Sequence, residues 1–233
     1  DVSGTLNSEQ LVADTVELTN ALRARFHQDK IYLVGHSWGT YLGLLVIARH
    51  PQLYCAYVGI GQLARMSPIA GIQDEYIRQN ATRMGDKEAL KELEEKGASV
   101  RETLVFKFGG EIRGAKSFLP LLLTGLAAPE YSLRDARNIP KGVSLYAKRF
   151  VYNSISGELM DVITRVEIPV YFFTGRYDYT DPVALTEEYF SHISAPEKHL
   201  VWFEVSAHFP FYEEPAAFAQ QMRGVLTATS PRK

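Results

Sequence analysis

Ile31-Tyr32-Leu33-Val34-Gly35-His36-Ser37-Trp38-Gly39-Thr40 is a short apolar, β-branched run that breaks into Gly-x-Ser-x-Gly. An apolar helical run, Tyr41 to Ala48, follows directly. Strand, tight turn and helix in that order are the setting in which a serine hydroxyl is pushed out above the end of a sheet. Such a turn strains the backbone at Ser37, so Gly35 and Gly39 are expected to be there because a Cβ at either would collide. The hydroxyl then stands at a helix N-terminus, where backbone N–H groups favour a developing negative charge. A glycine-rich βα turn with an incidental serine is the plainer reading, and the flanking strand and helix argue against it.

The elements on either side extend the pattern. Ser8 is placed to cap a helix to about Phe26, with Leu11, Thr15, Leu18, Leu22 and Phe26 on one face. Lys30 to Val34 reads as a strand, the helix behind the elbow ends near His50-Pro51, and Tyr54 to Ile60 reads as a second buried strand. Alternation of β, α and β predicts a parallel sheet with crossover helices. From Gln62 to Val166 no strand pair stands out. Helices are expected at Ile72 to Met84 and at Asp86 to Lys96, the second with Asp86 as cap, Leu90 and Leu93 inward, a Glu92–Lys96 pair and Gly97 as stop. The rest of this segment is rich in Phe106, Phe108, Phe118, Leu121 to Leu123, Tyr131, Tyr146, Phe150 and Tyr152. These side chains suit either the core of a helical insertion or the wall of an acyl pocket. Strands return at Val170 to Thr174 and His199 to Val205, with helices at Pro182 to Ile193 and Pro215 to about Thr229. The expected organisation is an α/β core over 1–61, a helical cap over 62–166, and the second part of the core over 167–233.

The 233 residues suit one large α/β domain or a core with an inserted subdomain, and 46% hydrophobic content is enough for a sizeable core. With 25 basic and 27 acidic residues the net charge is -2, so no nucleic-acid partner is implied. One cysteine, Cys55, excludes an internal disulfide and reads as a buried bystander. No apolar run approaches the length of a membrane span. The chain starts at Asp1, so the N-terminus is expected to be processed or truncated, and a cytoplasmic setting is only a default.

A serine hydroxyl is a poor nucleophile at neutral pH, so it needs a base, and the base needs an acid to orient it. Where a nucleophile elbow is used, the acid and the histidine follow it in the chain. The loop after the third strand reads Gly175-Arg176-Tyr177-Asp178-Tyr179-Thr180-Asp181-Pro182, and the loop after the fourth reads Ser206-Ala207-His208-Phe209-Pro210. Both belong at the C-terminal ends of parallel strands, on the same sheet edge as Ser37, where open α/β sheets meet their ligands. Asp181 before Pro182 has the pattern of a helix cap, so catalysis goes to Asp178. His36 is expected to pack or hydrogen-bond within the elbow, and His27, His50, His192 and His199 to lie at surface or capping positions. No metal is expected, because no cluster has ligand spacing, and no cofactor, because Gly109-Gly110 lacks the rest of a phosphate loop.

These residues resemble the α/β-hydrolase superfamily, and within it the cap-bearing branch that includes proline iminopeptidases. The resemblance runs from about Leu11 to the C-terminus through Gly35-His36-Ser37-Trp38-Gly39-Thr40, Gly175 to Pro182, and His208-Phe209-Pro210-Phe211-Tyr212-Glu213-Glu214-Pro215. It implies Ser37 as nucleophile, His208 as general base, Asp178 as orienter and the Trp38 N–H as one oxyanion donor. Two family features have no match. The strands that normally precede the elbow, with a His-Gly loop carrying the second oxyanion donor, are not found, so the four strands look like the later half of the usual sheet. A missing N-terminal part, supplied by a second chain in one version, is the expectation that follows. The cap glutamates with which iminopeptidases hold a substrate amine cannot be chosen among Glu75, Glu102, Glu111 and Glu158. The expected activity is therefore a serine hydrolase acting through an acyl-enzyme on an ester, small amide or short peptide. An aminopeptidase removing an N-terminal residue such as proline is the first alternative, and a non-catalytic small-molecule binder on the same scaffold is the second. Chemistry that requires Asp at the elbow, as in haloalkane dehalogenases and epoxide hydrolases, is disfavoured by Ser37.

Overall fold

Four strands carry the molecule: β1 (Ile31–His36), β2 (Tyr54–Ile60), β3 (Val170–Gly175) and β4 (Lys198–Phe203). A computed structural model describes residues 6–126, 128–149 and 157–230 and places the strands side by side in the order β1-β2-β3-β4, every pairing parallel. β3 is buried at every residue and β2 at all but one, as expected of near-continuous apolar strands covered on both faces. Alternation sends Tyr57, Val170 and Phe172 to one face and Val58, Ile60, Tyr171 and Phe173 to the other. No described strand pairs with the outer edge of β1.

The first face is covered by α1 (Ser8–Phe26), α2 (Trp38–Arg49) and, after β3, α9 (Val183–His192). Leu44, Leu45, Val46 and Ile47 of α2 are all 1% exposed or less, because α2 is sandwiched between the sheet and α1. A helix apolar on all sides is buried in this way, and each such side chain contributes about 2 kcal/mol. The opposite face is covered by α11 (Pro215–Thr229), through Phe218, Met222 and Val225.

α1 departs from its expected orientation. Asn7 is its cap, accepting from the Gln10 N–H at 2.9 Å, and the inward stripe is Ser8, Val12, Val16 and Thr19. Leu18 and Phe26 are exposed. Two apolar stripes compete on this helix, and the one with smaller side chains lets it approach α2, with the Thr19 hydroxyl hydrogen-bonded to the Tyr54 hydroxyl at 2.8 Å. Cys55 on β2 is half-buried and free, and burial raises its thiol pKa, so little thiolate forms.

Between β2 and β3 lie α3 (Ile69–Met84), α4 (Lys87–Lys96), α5 (Ala98–Lys107), α6 (Leu119–Leu126), α7 (Leu133–Arg149) and α8 (Leu159–Val162). Asp86 caps α4 by accepting from the Ala89 N–H at 3.0 Å, Lys96 pairs with Glu92 at 2.6 Å, and Gly97 ends the helix. α3, α4 and α5 share a small core of their own built on Tyr76, Ile77, Leu93, Leu104, Val105 and Phe108. Leu63, Ala64, Leu159, Met160 and Ile163, at the two ends of the insertion, belong instead to the main core. Phe150 and Tyr152 lie outside the described residues. No helix among the described residues is long and apolar enough to cross a membrane. A short helix, α10 (Pro210–Glu213), follows the loop after β4.

Candidate active site

Ser37 sits where β1 turns into α2, at φ 53° and ψ -125°, one of two non-glycine residues with positive φ among those described. Backbone strain of this kind costs about 1–3 kcal/mol and persists only where the surroundings over-determine it. Here the Ser37 N–H is tied to the Ile60 carbonyl at 2.9 Å, and the Ser37 carbonyl accepts from both the N–H and the hydroxyl of Thr40, at 2.8 and 2.6 Å. A Cβ on Gly35 would meet the Gly39 carbonyl oxygen at 2.5 Å, so the turn needs a glycine there. Gly39 itself has open space at its Cβ position, contrary to the expectation that both neighbours are sterically required.

The loops after β3 and β4 meet at this edge. Nδ1 of His208 donates to Oδ2 of Asp178 across 2.8 Å, and the two residues are 2% and 1% exposed. The other carboxylate oxygen of Asp178 accepts from the Thr180 and Asp181 N–H groups, both at 3.0 Å. That bond to Asp178 fixes the tautomer with the proton on Nδ1 and the lone pair on Nε2. Nε2 has no hydrogen-bond partner. Burial opposes a charged imidazole at His208, but the Asp178 carboxylate outweighs it, helped by Asp181 and Glu111, and the pKa is raised.

Asp181 does not cap α9. Pro182 holds the cap position without a side-chain bond, and the Asp181 carboxyl turns inward toward Ser37 and His208. The Val183 N–H at this helix entry is taken by the Asp178 carbonyl at 3.2 Å, and the Asp-Pro pattern has lost its local purpose to a tertiary one.

His208 is held on every side. Its N–H donates to the Glu111 carbonyl at 2.9 Å, and its carbonyl accepts from Nε2 of His36 at 2.9 Å. Burial, then the nearby His208, lowers the His36 pKa to about 4, so His36 is neutral at ordinary pH. Glu213 accepts the N–H groups of Ala207 and Phe209, on both sides of His208, and that of Arg113. The Gly110 carbonyl accepts from the Tyr179 N–H at 2.8 Å, so the chain just after α5 ties the acid loop to the histidine loop. A family model described as alpha/beta hydrolase fold matches residues 4–215 of this chain. The chain belongs to that family.

Among relatives of this α/β hydrolase, the probable aminopeptidase YbaC of Bacillus subtilis (strain 168) is 27% identical, with 91% of this chain and 70% of that protein aligned. The proline iminopeptidase of Heyndrickxia coagulans is 25% identical over 87% of this chain and 69% of that protein. A crystal structure of a proline iminopeptidase from Mycobacterium smegmatis superposes with a TM-score of 0.67 at 14% identity, covering 97% of this chain and 73% of that one. At that identity the likeness speaks for the fold.

Two residues stand out in this α/β hydrolase, one that sequence reading passed over and one that it could not single out among four glutamates. Gly61, just past β2 with φ +56°, is so close that a Cβ there would lie 2.7 Å from Nδ1 and Cε1 of His208 and 3.1 Å from Asp178 Oδ2. Gly61→Ala is expected to displace the imidazole and lower kcat by about 100-fold, since ångström-scale misplacement costs that much. Unchanged kcat in a folded variant would contradict this. The second is Glu111, 8% exposed, with Oε2 unpartnered and its pKa raised by burial to about 7. Glu75 and Glu158 are spent elsewhere, on Gln79 and on the N–H groups of Met66 and Ser67, and Glu102 is exposed. Only burial separates Glu111 from these, and no local pattern announces it.

Proposed function

We propose that this α/β hydrolase is a serine hydrolase that forms an acyl-enzyme at Ser37 from a carboxylic ester or small amide. The observation that carries this reading is the His208 imidazole, held at Nδ1 by Asp178 with Nε2 unpartnered, and a serine on a strained elbow at the same sheet edge, with the Asp181 carboxyl turned toward both. Nε2 takes the Ser37 proton as Oγ attacks the carbonyl carbon, and the Trp38 backbone N–H donates to the oxyanion. The intermediate collapses as the imidazolium returns the proton to the leaving alcohol or amine. Water then repeats both steps at the acyl group, freeing the acid and Ser37. Asp178 keeps the ring in one tautomer throughout.

A second reading, an aminopeptidase acting on a free N-terminal residue, is favoured by Glu111. An unpartnered carboxyl buried against His208 suits a substrate ammonium, which would restore its ionised form. The names of the two relatives, an aminopeptidase and a proline iminopeptidase, point the same way. p-Nitrophenyl acetate and prolyl-naphthylamide separate the readings: turnover of the ester alone favours the first, turnover of the amide the second. Turnover of neither by folded protein would count against both readings and favour the non-catalytic binder. If the amine reading holds, Glu111→Gln should lower kcat/KM for prolyl-naphthylamide by about ten- to a hundredfold, the effect of losing a charged hydrogen bond, and affect the acetate far less. KM for the amide should also rise as pH falls below about 7, where Glu111 takes up a proton. Equal losses on both substrates would refute the amine contact.

A further inference from the structure

Asp181 occupies a place that its local sequence does not explain. Its carboxyl is 8% exposed, caps nothing, and leaves Oδ2 without a hydrogen-bond partner. That oxygen lies 4.0 Å from Nε2 of His208, while Asp178 holds Nδ1 of the same ring at 2.8 Å. Its side chain also acts electrostatically with Ser37. A buried carboxyl with an unsatisfied oxygen is costly, so the reason for it is sought in what it faces: the two atoms between which the first proton would move.

We infer that Asp181 is a positioning residue that brackets His208 against Asp178 and competes with Nε2 for the Ser37 hydroxyl, so that its charge decides when His208 can act as a base. The inference rests on the reading of Ser37 and His208 given above. An anion at this distance in a dry site stabilises the imidazolium over the neutral ring. With Asp181 ionised, His208 keeps its proton to higher pH. With Asp181 protonated, the ring is neutral and basic at lower pH, and the two groups titrate as a pair. The other titratable groups around the ring are Glu111 from the segment after α5, His36 from the end of β1, and Asp178 in the loop after β3. Glu213 of α10 acts on Asp178 from behind. Burial pushes Asp181 up, and the Asp178 charge adds to it. Asp181 is the one of these with a carboxylate oxygen 4.0 Å from Nε2.

Asp181→Asn keeps the shape and removes the charge. Removing an anion beside an imidazolium lowers the imidazole pKa, so the acid limb of activity moves to lower pH. The experiment follows Ser37 phosphonylation by a fluorophosphonate, and kcat/KM for p-nitrophenyl acetate, across pH for the wild type, Asp181→Asn and Asp181→Glu. The limb of Asp181→Asn is expected about one pH unit below that of the wild type, making the variant about tenfold faster on the acid side, with Asp181→Glu returning toward the wild type. Coincident limbs for wild type and Asp181→Asn would overturn the inference, since a merely structural side chain changes rates without moving the limb. Should Asp181→Asn not fold, the imidazole signal of His208, assigned by its loss in His208→Gln, is compared between the wild type and Asp181→Ser. Titration at lower pH in Asp181→Ser supports the bracketing, and coincident titration overturns it. A wild type that never labels at Ser37 removes the proposed nucleophile, and the imidazole titration then judges Asp181 separately.

Discussion

Ser37→Ala is expected to lower kcat by on the order of 10⁴- to 10⁶-fold while the protein keeps its fold, because members of a nucleophile–base–acid unit act together and loss of the nucleophile removes the unit. The side chain contributes little to packing: the turn is held by the Ser37 N–H, by the Ser37 carbonyl and by the close approach of Gly35 to Gly39, all backbone features that alanine keeps. The unfolding midpoint should therefore stay within a few degrees of the wild type. Steady-state turnover of p-nitrophenyl acetate or prolyl-naphthylamide, with circular dichroism alongside, reads both parts. A folded Ser37→Ala protein that still turns over would refute the assignment.

His208→Gln should lower kcat by a comparable factor, about 10⁴-fold or more, and unlike Ser37→Ala it should also destabilise. Asp178 is 1% exposed and would lose its cationic partner, a loss that typically costs about 3 kcal/mol when a buried pair is broken. The Thr180 and Asp181 N–H groups that remain on Asp178 soften this. The stability difference should depend on pH with a definite sign. Because the folded pKa of His208 is raised, its charged pairing is complete below the unfolded value of 6.5 and fades as pH rises through the folded value. The gap between wild type and variant should thus be widest in mildly acidic solution and narrow toward alkaline pH. A gap that widens with pH would show that His208 is not held as the charged partner.

The fold was legible because its signals are local and repeated. Apolar runs of strand length alternate with helical stretches, and β2 and α11 fall on the expected residues, Tyr54–Ile60 and Pro215–Thr229. The elbow was legible for a steric reason at Gly35, where a Cβ would meet the Gly39 carbonyl oxygen, and from its place between an apolar strand and an apolar helix. The meeting of the Asp178 and His208 loops follows from topology: loops after parallel strands emerge on one edge of the sheet. What escaped depends on distant partners. α1 carries two apolar stripes, and only α2 decides that Val12 and Val16, rather than Leu18 and Phe26, face inward. Asp181-Pro182 has the letters of a cap, yet the Val183 N–H is taken by the Asp178 carbonyl and the Asp181 carboxyl turns toward Ser37 and His208. Gly61, and the choice of Glu111 among four candidate glutamates, depend on contacts with His208, more than ninety residues away in the chain, which no window of sequence displays.

The measurement that bears most directly on the central claim is fluorophosphonate labelling of the native protein near neutral and alkaline pH, read by peptide mass spectrometry, with Ser37→Ala as control. The account predicts one phosphonyl adduct, on Ser37, absent from Ser37→Ala and from heat-denatured protein. Folded protein that takes up no adduct at Ser37, or an adduct that persists in Ser37→Ala, would contradict it.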